Sequence, residues 1–374
     1  MGVLLLVIAV ALVALVAVMT WLGLTGKFRQ GNPSLSPRTC HTPTPLLQLA
    51  AENVTLGADF GNSVSVSTNW AIVGAPLNGG KGKAYLYKRV LGTWDDRQEI
   101  QASDGSDNDS FGQSVSINEN IVVVGAPWRD SGAVYVFTLQ GETWTEDIRL
   151  TASDGETYDM FGVKVAISGD TLLVGAQHKD GGSGAAYVFV LAGDGSWDEG
   201  TRLIPRNVTV SGDEFGRSVA LSGDRALIGA RWRDEKGDKS VAYIFHRMNG
   251  VWQEEAKLVP TGGAGYGASQ EYSAGYDVAI SGDTAFIGSP FDDDTNCPTG
   301  PYDYDDYGSR SGSVYVFIRQ DNVTWEEVQN LTPADRKKDD YFGWRVAISG
   351  DTAVIGAKRS GYGMDGSGYV YTTQ

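Results

Sequence analysis

The chain says one phrase six times. A Phe-Gly pair opens an alternating apolar segment, a tight turn follows, and a second apolar run ends in Gly-Ala. The clearest copy runs from Phe161-Gly162 through Ser168-Gly169-Asp170 to Gly175-Ala176. The copies open at Phe60, Phe111, Phe161, Phe215, Ala274 and Phe342, with spacings of 51, 50, 54, 59 and 68 residues. Self-similarity at this period means a stack or ring of supersecondary units, each too small to bury its own apolar face.

Each unit reads as four short strands. Val165 and Ile167 alternate with Lys164 and Ala166, the period of a half-buried strand. Leu172-Leu173-Val174 is apolar on both faces, as in a strand deep within a core. Ser168-Gly169-Asp170, Ser222-Gly223-Asp224, Ser281-Gly282-Asp283 and Ser349-Gly350-Asp351 sit where a tight hairpin needs residues tolerant of positive φ. Tyr135-Val136-Phe137 and Tyr187-Val188-Phe189 mark a third strand, and Trp94, Trp144, Trp197, Trp252 and Trp325 open a fourth. The expected fold is all-β: a six-bladed β-propeller of four-stranded blades over residues 46–374. The sixth unit ends after its third strand. Leu46-Leu47-Gln48-Leu49-Ala50 matches Ile148-Arg149-Leu150-Thr151-Ala152, so an N-terminal strand is expected to complete the last blade and close the ring.

The Phe-Gly…Gly-Ala-Pro phrase resembles the FG-GAP repeat of integrin α-subunit heads and of many bacterial and algal surface proteins. The resemblance covers residues 46–374. It implies a propeller that binds through loops on one face. Integrin heads have seven blades; six are counted here. Their Ca²⁺ loops place several Asp in the first hairpin of certain blades. Here that hairpin is Ser-Gly-Asp, Thr68-Asn69 or Glu119-Asn120, too short to supply six or more oxygens. No such Ca²⁺ site is carried over, and there is no Arg-Gly-Asp peptide.

Residues 3–24 form an apolar run interrupted only by Thr20 and Gly23, long enough to span a bilayer as a helix. Residues 1–26 are therefore expected to be an N-terminal transmembrane anchor or uncleaved signal. Residues 27–45, with Pro33, Pro37, Pro43 and Pro45, read as a stalk. Lys27, Arg29 and Arg38 follow the apolar run, which by the positive-inside rule would place the propeller in the cytosol. Five Asn-x-Ser/Thr sequons, at Asn53, Asn108, Asn207, Asn322 and Asn330, point the other way, as do the habit of the resembled family and the acidic composition. The expectation is a single-pass membrane protein with an extracellular or lumenal propeller, glycosylated at some of these sites.

Cys40 and Cys297 can form one staple between the N-terminal segment and the longest insertion, or remain two thiols. With 30 basic and 46 acidic residues the net charge is −16, which disfavours nucleic acid as a partner. Acid gathers before the Phe-Gly pairs: Asp104, Asp107 and Asp109; Asp154, Glu156 and Asp159; Asp213 and Glu214. These are solvated loops or weak Ca²⁺ sites. The loops after Gly-Ala instead hold Trp128, Arg129, His178, Lys179, Arg231, Trp232, Arg233, Lys358 and Arg359. Strand alternation puts both loop sets on one face, with the basic and aromatic groups nearer the axis. Residues 291–312 add Tyr302, Tyr304 and Tyr307 in an acidic insertion. These twelve basic, aromatic and tyrosine residues are the candidate binding residues for a protein or glycan.

No zinc spacing, phosphate loop or nucleophile elbow is present, and His41, His178 and His246 suggest no triad. The chain reads as a membrane-anchored recognition or adhesion module and not an enzyme. A structural component of a cell envelope or virus particle, and a glycan-processing enzyme, are the two alternatives.

Overall fold

A computed structural model describes residues 54–91, 93–206, 211–230, 241–261, 274–292, 310–321, 324–333, 339–358 and 367–372. These form six antiparallel sheets, each a meander in chain order. Blade one holds β1 (Val64–Val66), β2 (Trp70–Ala75), β3 (Lys83–Val90) and β4 (Thr93–Ile100). Blade two holds β5 (Ser114–Asn118), β6 (Ile121–Ala126), β7 (Ala133–Gln140) and β8 (Thr143–Leu150). Blade three holds β9 (Phe161–Ser168), β10 (Thr171–Ala176), β11 (Ala185–Leu191) and β12 (Trp197–Leu203). Blade four holds β13 (Ser218–Ser222), β14 (Arg225–Ala230), β15 (Val241–Met248) and β16 (Val251–Leu258). Blade five holds β17 (Asp277–Ser281), β18 (Thr284–Ser289), β19 (Ser313–Arg319) and β20 (Trp325–Leu331). Blade six holds β21 (Phe342–Ser349), β22 (Thr352–Ala357) and β23 (Ser367–Thr372).

The first strands of successive blades lie against one another, β1 on β5, β5 on β9, β9 on β13, β13 on β17 and β17 on β21. First strands therefore surround the axis and fourth strands form the rim. The core lies between blades rather than inside any one. Leu86 and Ile100 of blade one share a cluster with Phe111, Val115 and Tyr135 of blade two. Leu173 and Val188 of blade three share one with Phe215, Val219 and Ile228 of blade four. Two-sided apolar second strands follow from this: β10 is buried at every position because one face meets blade two and the other blade four.

The repeated phrase is the joint between blades. Phe111, Phe161 and Phe215 are fully buried and meet Tyr135, Tyr187 and Tyr243 edge to face at 5.5, 5.5 and 5.6 Å. Their amides donate back to the preceding blade, to the carbonyls of Lys81, Ser131 and Ser183 at 3.0, 3.0 and 3.1 Å. Gly162 takes φ +91°, a conformation open to glycine at no steric cost. Its carbonyl sits against Gly125 of the blade before, where a Cβ would lie 2.0 Å from the oxygen. Phe-Gly and Gly-Ala are thus two halves of one contact.

Blade six shows three strands among the described residues, ending in β23 at one edge. The expected closing strand, residues 46–50, lies outside them. So do the apolar run 3–24, the stalk, Cys40 and Cys297. No helix among the described residues is long and apolar enough to cross a membrane.

Candidate functional site

A cavity of about 270 Å³ lies on the axis, lined by residues from all six blades. Most of its walls come from the two positions after each Phe-Gly pair, where the chain turns into the first strand. In blades one and two these are Asn62 and Gln113, neutral amides. In blades three to six they are Val163 and Lys164, Arg217, Tyr276, then Trp344 and Arg345. The loops after the second strands contribute Trp128, Gln177 and Lys358. One arc is therefore neutral and polar, and the other is cationic and aromatic.

The cationic arc is tightly built. Lys164 Nζ reaches from blade three to Asp277 Oδ1 of blade five, 3.0 Å away. Asp277 is 4 % exposed, and its other oxygen accepts from the Val346 amide at 3.0 Å, tying blade five to blade six. Burial holds the Lys164 ammonium below the ordinary lysine value; Asp277 opposes this, while Arg345 and Arg217 add to it. The Arg217 guanidinium lies over the Tyr276 ring at 4.6 Å and pairs with Glu214 at 3.3 Å. Arg345 lies 5.9 Å from the same ring. Tyr276 meets Trp344 with centroids 4.6 Å apart, and Lys358 Nζ stands 4.5 Å from the Trp344 ring. Burial, then the nearby Arg345, holds Lys358 below the ordinary lysine value against the pull of Asp59. The rings act as platforms that fix cations by cation–π attraction. Four cations line the cavity, and no carboxylate does among the described residues.

The residues expected at a binding face divide. Trp128 and Lys358 line the cavity, and Trp128 is 52 % exposed. His178 is half-buried, its Nε2 3.3 Å from Gln177 Nε2. Arg129 and Lys179 are spent internally rather than offered to a ligand. Arg129 bridges Asp109 at 2.9 Å and Asp104 at 3.0 Å. Lys179 is 3 % exposed, with Nζ 3.1 Å from Asp159, and it donates to the Asp154 carbonyl. Each charge pins the acidic loop ahead of its own repeat's Phe-Gly pair, because both loops fold onto the same inter-blade seam. Arg231, Trp232, Arg233, Tyr302, Tyr304, Tyr307 and Arg359 lie outside the described residues.

The acidic loops consequently do not converge as oxygen cages. Asp104 accepts from the Tyr135 hydroxyl at 2.7 Å, and Asp154 from Tyr187 at 2.7 Å. The Tyr135 hydrogen bond holds the Asp104 carboxyl below its usual range; burial opposes it, and Arg129 and Arg149 add to it. No group of three or more His, Cys, Asp or Glu is placed to hold a metal ion among the described residues. Of the sequons, Asn108 and Asn330 are exposed; Asn53, Asn207 and Asn322 lie outside the described residues.

Sequence reasoning missed Asn62, Gln113, Lys164, Gln177, Arg217, Tyr276, Trp344 and Arg345. A usable signal was present: the six in-phase copies, five Phe-Gly-x-x-Val and one Ala-Gly-x-x-Val, vary mainly at the two middle positions, and a ring turns a variable repeat position into one continuous wall.

Comparison with curated proteins finds no match. Among solved structures the fold is similar to the crystal structure of a functionally unknown protein from Desulfotomaculum acetoxidans DSM 771. That chain is 14 % identical, with a TM-score of 0.50 over 86 % of this chain and 90 % of that one. A family model described as the FG-GAP repeat matches residues 47–87, 94–137, 144–189, 197–245, 252–317 and 325–373, one match per repeat and most of the chain, so the chain belongs to the FG-GAP repeat family.

Proposed function

We propose that this protein is a non-enzymatic recognition module, anchored to a membrane by residues 3–24 with its propeller outside, that binds a protein or glycan at the axial cavity. One observation carries the reading. The repeated residues are consumed by blade packing, while the positions that vary between repeats converge on a single cavity at the face of the Gly-Ala loops. A rigid scaffold presenting variable side chains in a concavity is the usual arrangement of a binding site. Trp128 at the rim adds an exposed aromatic surface.

The test is to obstruct the cavity. Val163→Trp adds bulk to its wall, and Asn120→Trp adds the same bulk in the β5–β6 hairpin, away from the cavity. The full chain is probed on arrays of glycans and cell-surface proteins. Ligands captured by the wild type are expected to be lost with Val163→Trp and kept with Asn120→Trp. Retention by Val163→Trp, or an array that stays silent for the wild type, refutes the proposal.

A further inference from the structure

The cavity's chemistry defines a class of ligand. We infer that the axial cavity binds a carboxylate-bearing saccharide, its acid group held by the cationic arc and its ring by Trp128 and the amides of the neutral arc. This rests on the reading of the cavity as the binding site.

Three features argue for it together. First, in a chain of net charge −16, cations gather at the axis. Arg217, Arg345 and Lys358 stand over two rings, and Lys164 stands beside them; Asp277 pairs with Lys164, Glu214 with Arg217, and Asp59 draws on Lys358, but none of these three carboxylates lines the cavity. Like charges crowded in a partly desolvated cavity repel one another. The lowered Lys164 and Lys358 ammonium values express that repulsion together with burial. An arriving anion relieves it, so the site favours an acid over a neutral ligand. Second, the facing arc carries no charge. Asn62 and Gln113 offer amide donors and acceptors, the complement of sugar hydroxyls rather than of a second acid group. Third, Trp128 at the rim is 52 % exposed, unlike the rings under the cations. A flat apolar face beside hydroxyl-binding amides suits the C–H face of a pyranose. A volume of about 270 Å³ admits one ring rather than an extended peptide.

The experiment is titration calorimetry on the full chain with methyl glucuronide, its methyl ester, methyl glucoside and a short glutamate peptide. The glucuronide is expected to bind about tenfold or more tightly than the ester or the glucoside, the worth of one charge-assisted hydrogen-bonded pair. Arg345→Met and Lys358→Gln should each remove about tenfold from the glucuronide and little from the glucoside. Lys358 lies at an exposed strand end, so its variant reports even if Arg345→Met fails to fold. Trp128→Ala should weaken both sugars. Equal binding of acid and ester, no binding at millimolar glucuronide, or a preference for the glutamate peptide unaffected by Trp128→Ala would each overturn the inference. If the obstructing variant Val163→Trp still abolishes capture of an array ligand, the recognition reading survives and only the ligand class is lost.

Discussion

Gly175→Ala is the sharpest test of the blade joint. Gly175 lies on β10 facing blade four, and a Cβ built there falls 1.9 Å from the Gly216 carbonyl oxygen. Real Cβ contacts stay beyond 3.0 Å, so blade four must retreat by about 1.1 Å. The obstacle is backbone, fixed by the Gly216 amide on the Gly229 carbonyl at 3.1 Å and the Phe215 amide on Ser183 at 3.1 Å. A gap of that size along the seam forfeits roughly a quarter to a half of the dispersion contacts there. Those contacts join Leu173, Ala186 and Val188 to Phe215, Val219 and Ile228. The expected loss is about 3 kcal/mol, the upper part of the overpacking range. Gly193→Ala is the control: nothing lies within 4 Å of its Cβ and its φ is not positive, so it should change stability by less than about 0.5 kcal/mol. Urea unfolding followed by near-ultraviolet circular dichroism measures both. Coincident midpoints for the two variants would refute the claim that the phrase encodes inter-blade contact.

Lys179→Met should cost about 3 kcal/mol in the same assay, because it leaves the Asp159 carboxylate buried without its cation; Lys179→Met with Asp159→Asn should recover part of that. A double variant no better than the single one would remove the ion pair as the cause. Asp104 has a folded-state pKa below its unfolded value, so its contribution is complete above the unfolded pKa and is lost as pH falls through the folded one. The Tm of Asp104→Asn should therefore fall less steeply than wild type on acidification below about pH 4, and parallel curves would contradict this. Deleting residues 46–50 should leave the β23 edge open, giving a lower Tm and concentration-dependent aggregation by light scattering; wild-type melting would exclude the closing-strand expectation.

The fold was legible because a β-propeller writes the same constraints once per blade. Phe161, Gly175 and Tyr187 recur in phase, and in-phase recurrence of alternating strands leaves few architectures. What the phrase meant physically was not legible. Gly125 in sequence marks only the end of an apolar run; in the structure it is a point of close approach to Gly162 of the next blade. The basic loops misled for a related reason. Asp109 and Arg129 are 20 residues apart, as are Asp159 and Lys179, and composition alone does not distinguish a cation facing solvent from one neutralising its own repeat. The offset itself is the missing signal. It occurs again between Asp213 and Arg233, although Arg233 lies outside the described residues.

That distinction changes where specificity is sought. A cation at a fixed offset from an acid in several copies belongs to the repeat and is explained by folding. Lys164, Arg217 and Arg345 obey no such rule. Lys164 and Arg345 stand where the first two blades have Ser63 and Ser114, and Arg217 where they have Asn62 and Gln113; Ser63 accepts from the Val115 amide and Ser114 donates to the Gly162 carbonyl. A small hydroxyl there serves blade packing locally. Replacing it with Lys164 or Arg345 gives up that local bond, which blade four keeps through Ser218 and the Gly275 carbonyl, and adds repulsion among Lys164, Arg345 and Arg217, a cost the fold itself does not require. Departures from a repeat that make folding harder, gathered around one cavity, are the part of the sequence that packing does not explain, and they coincide with the proposed binding site.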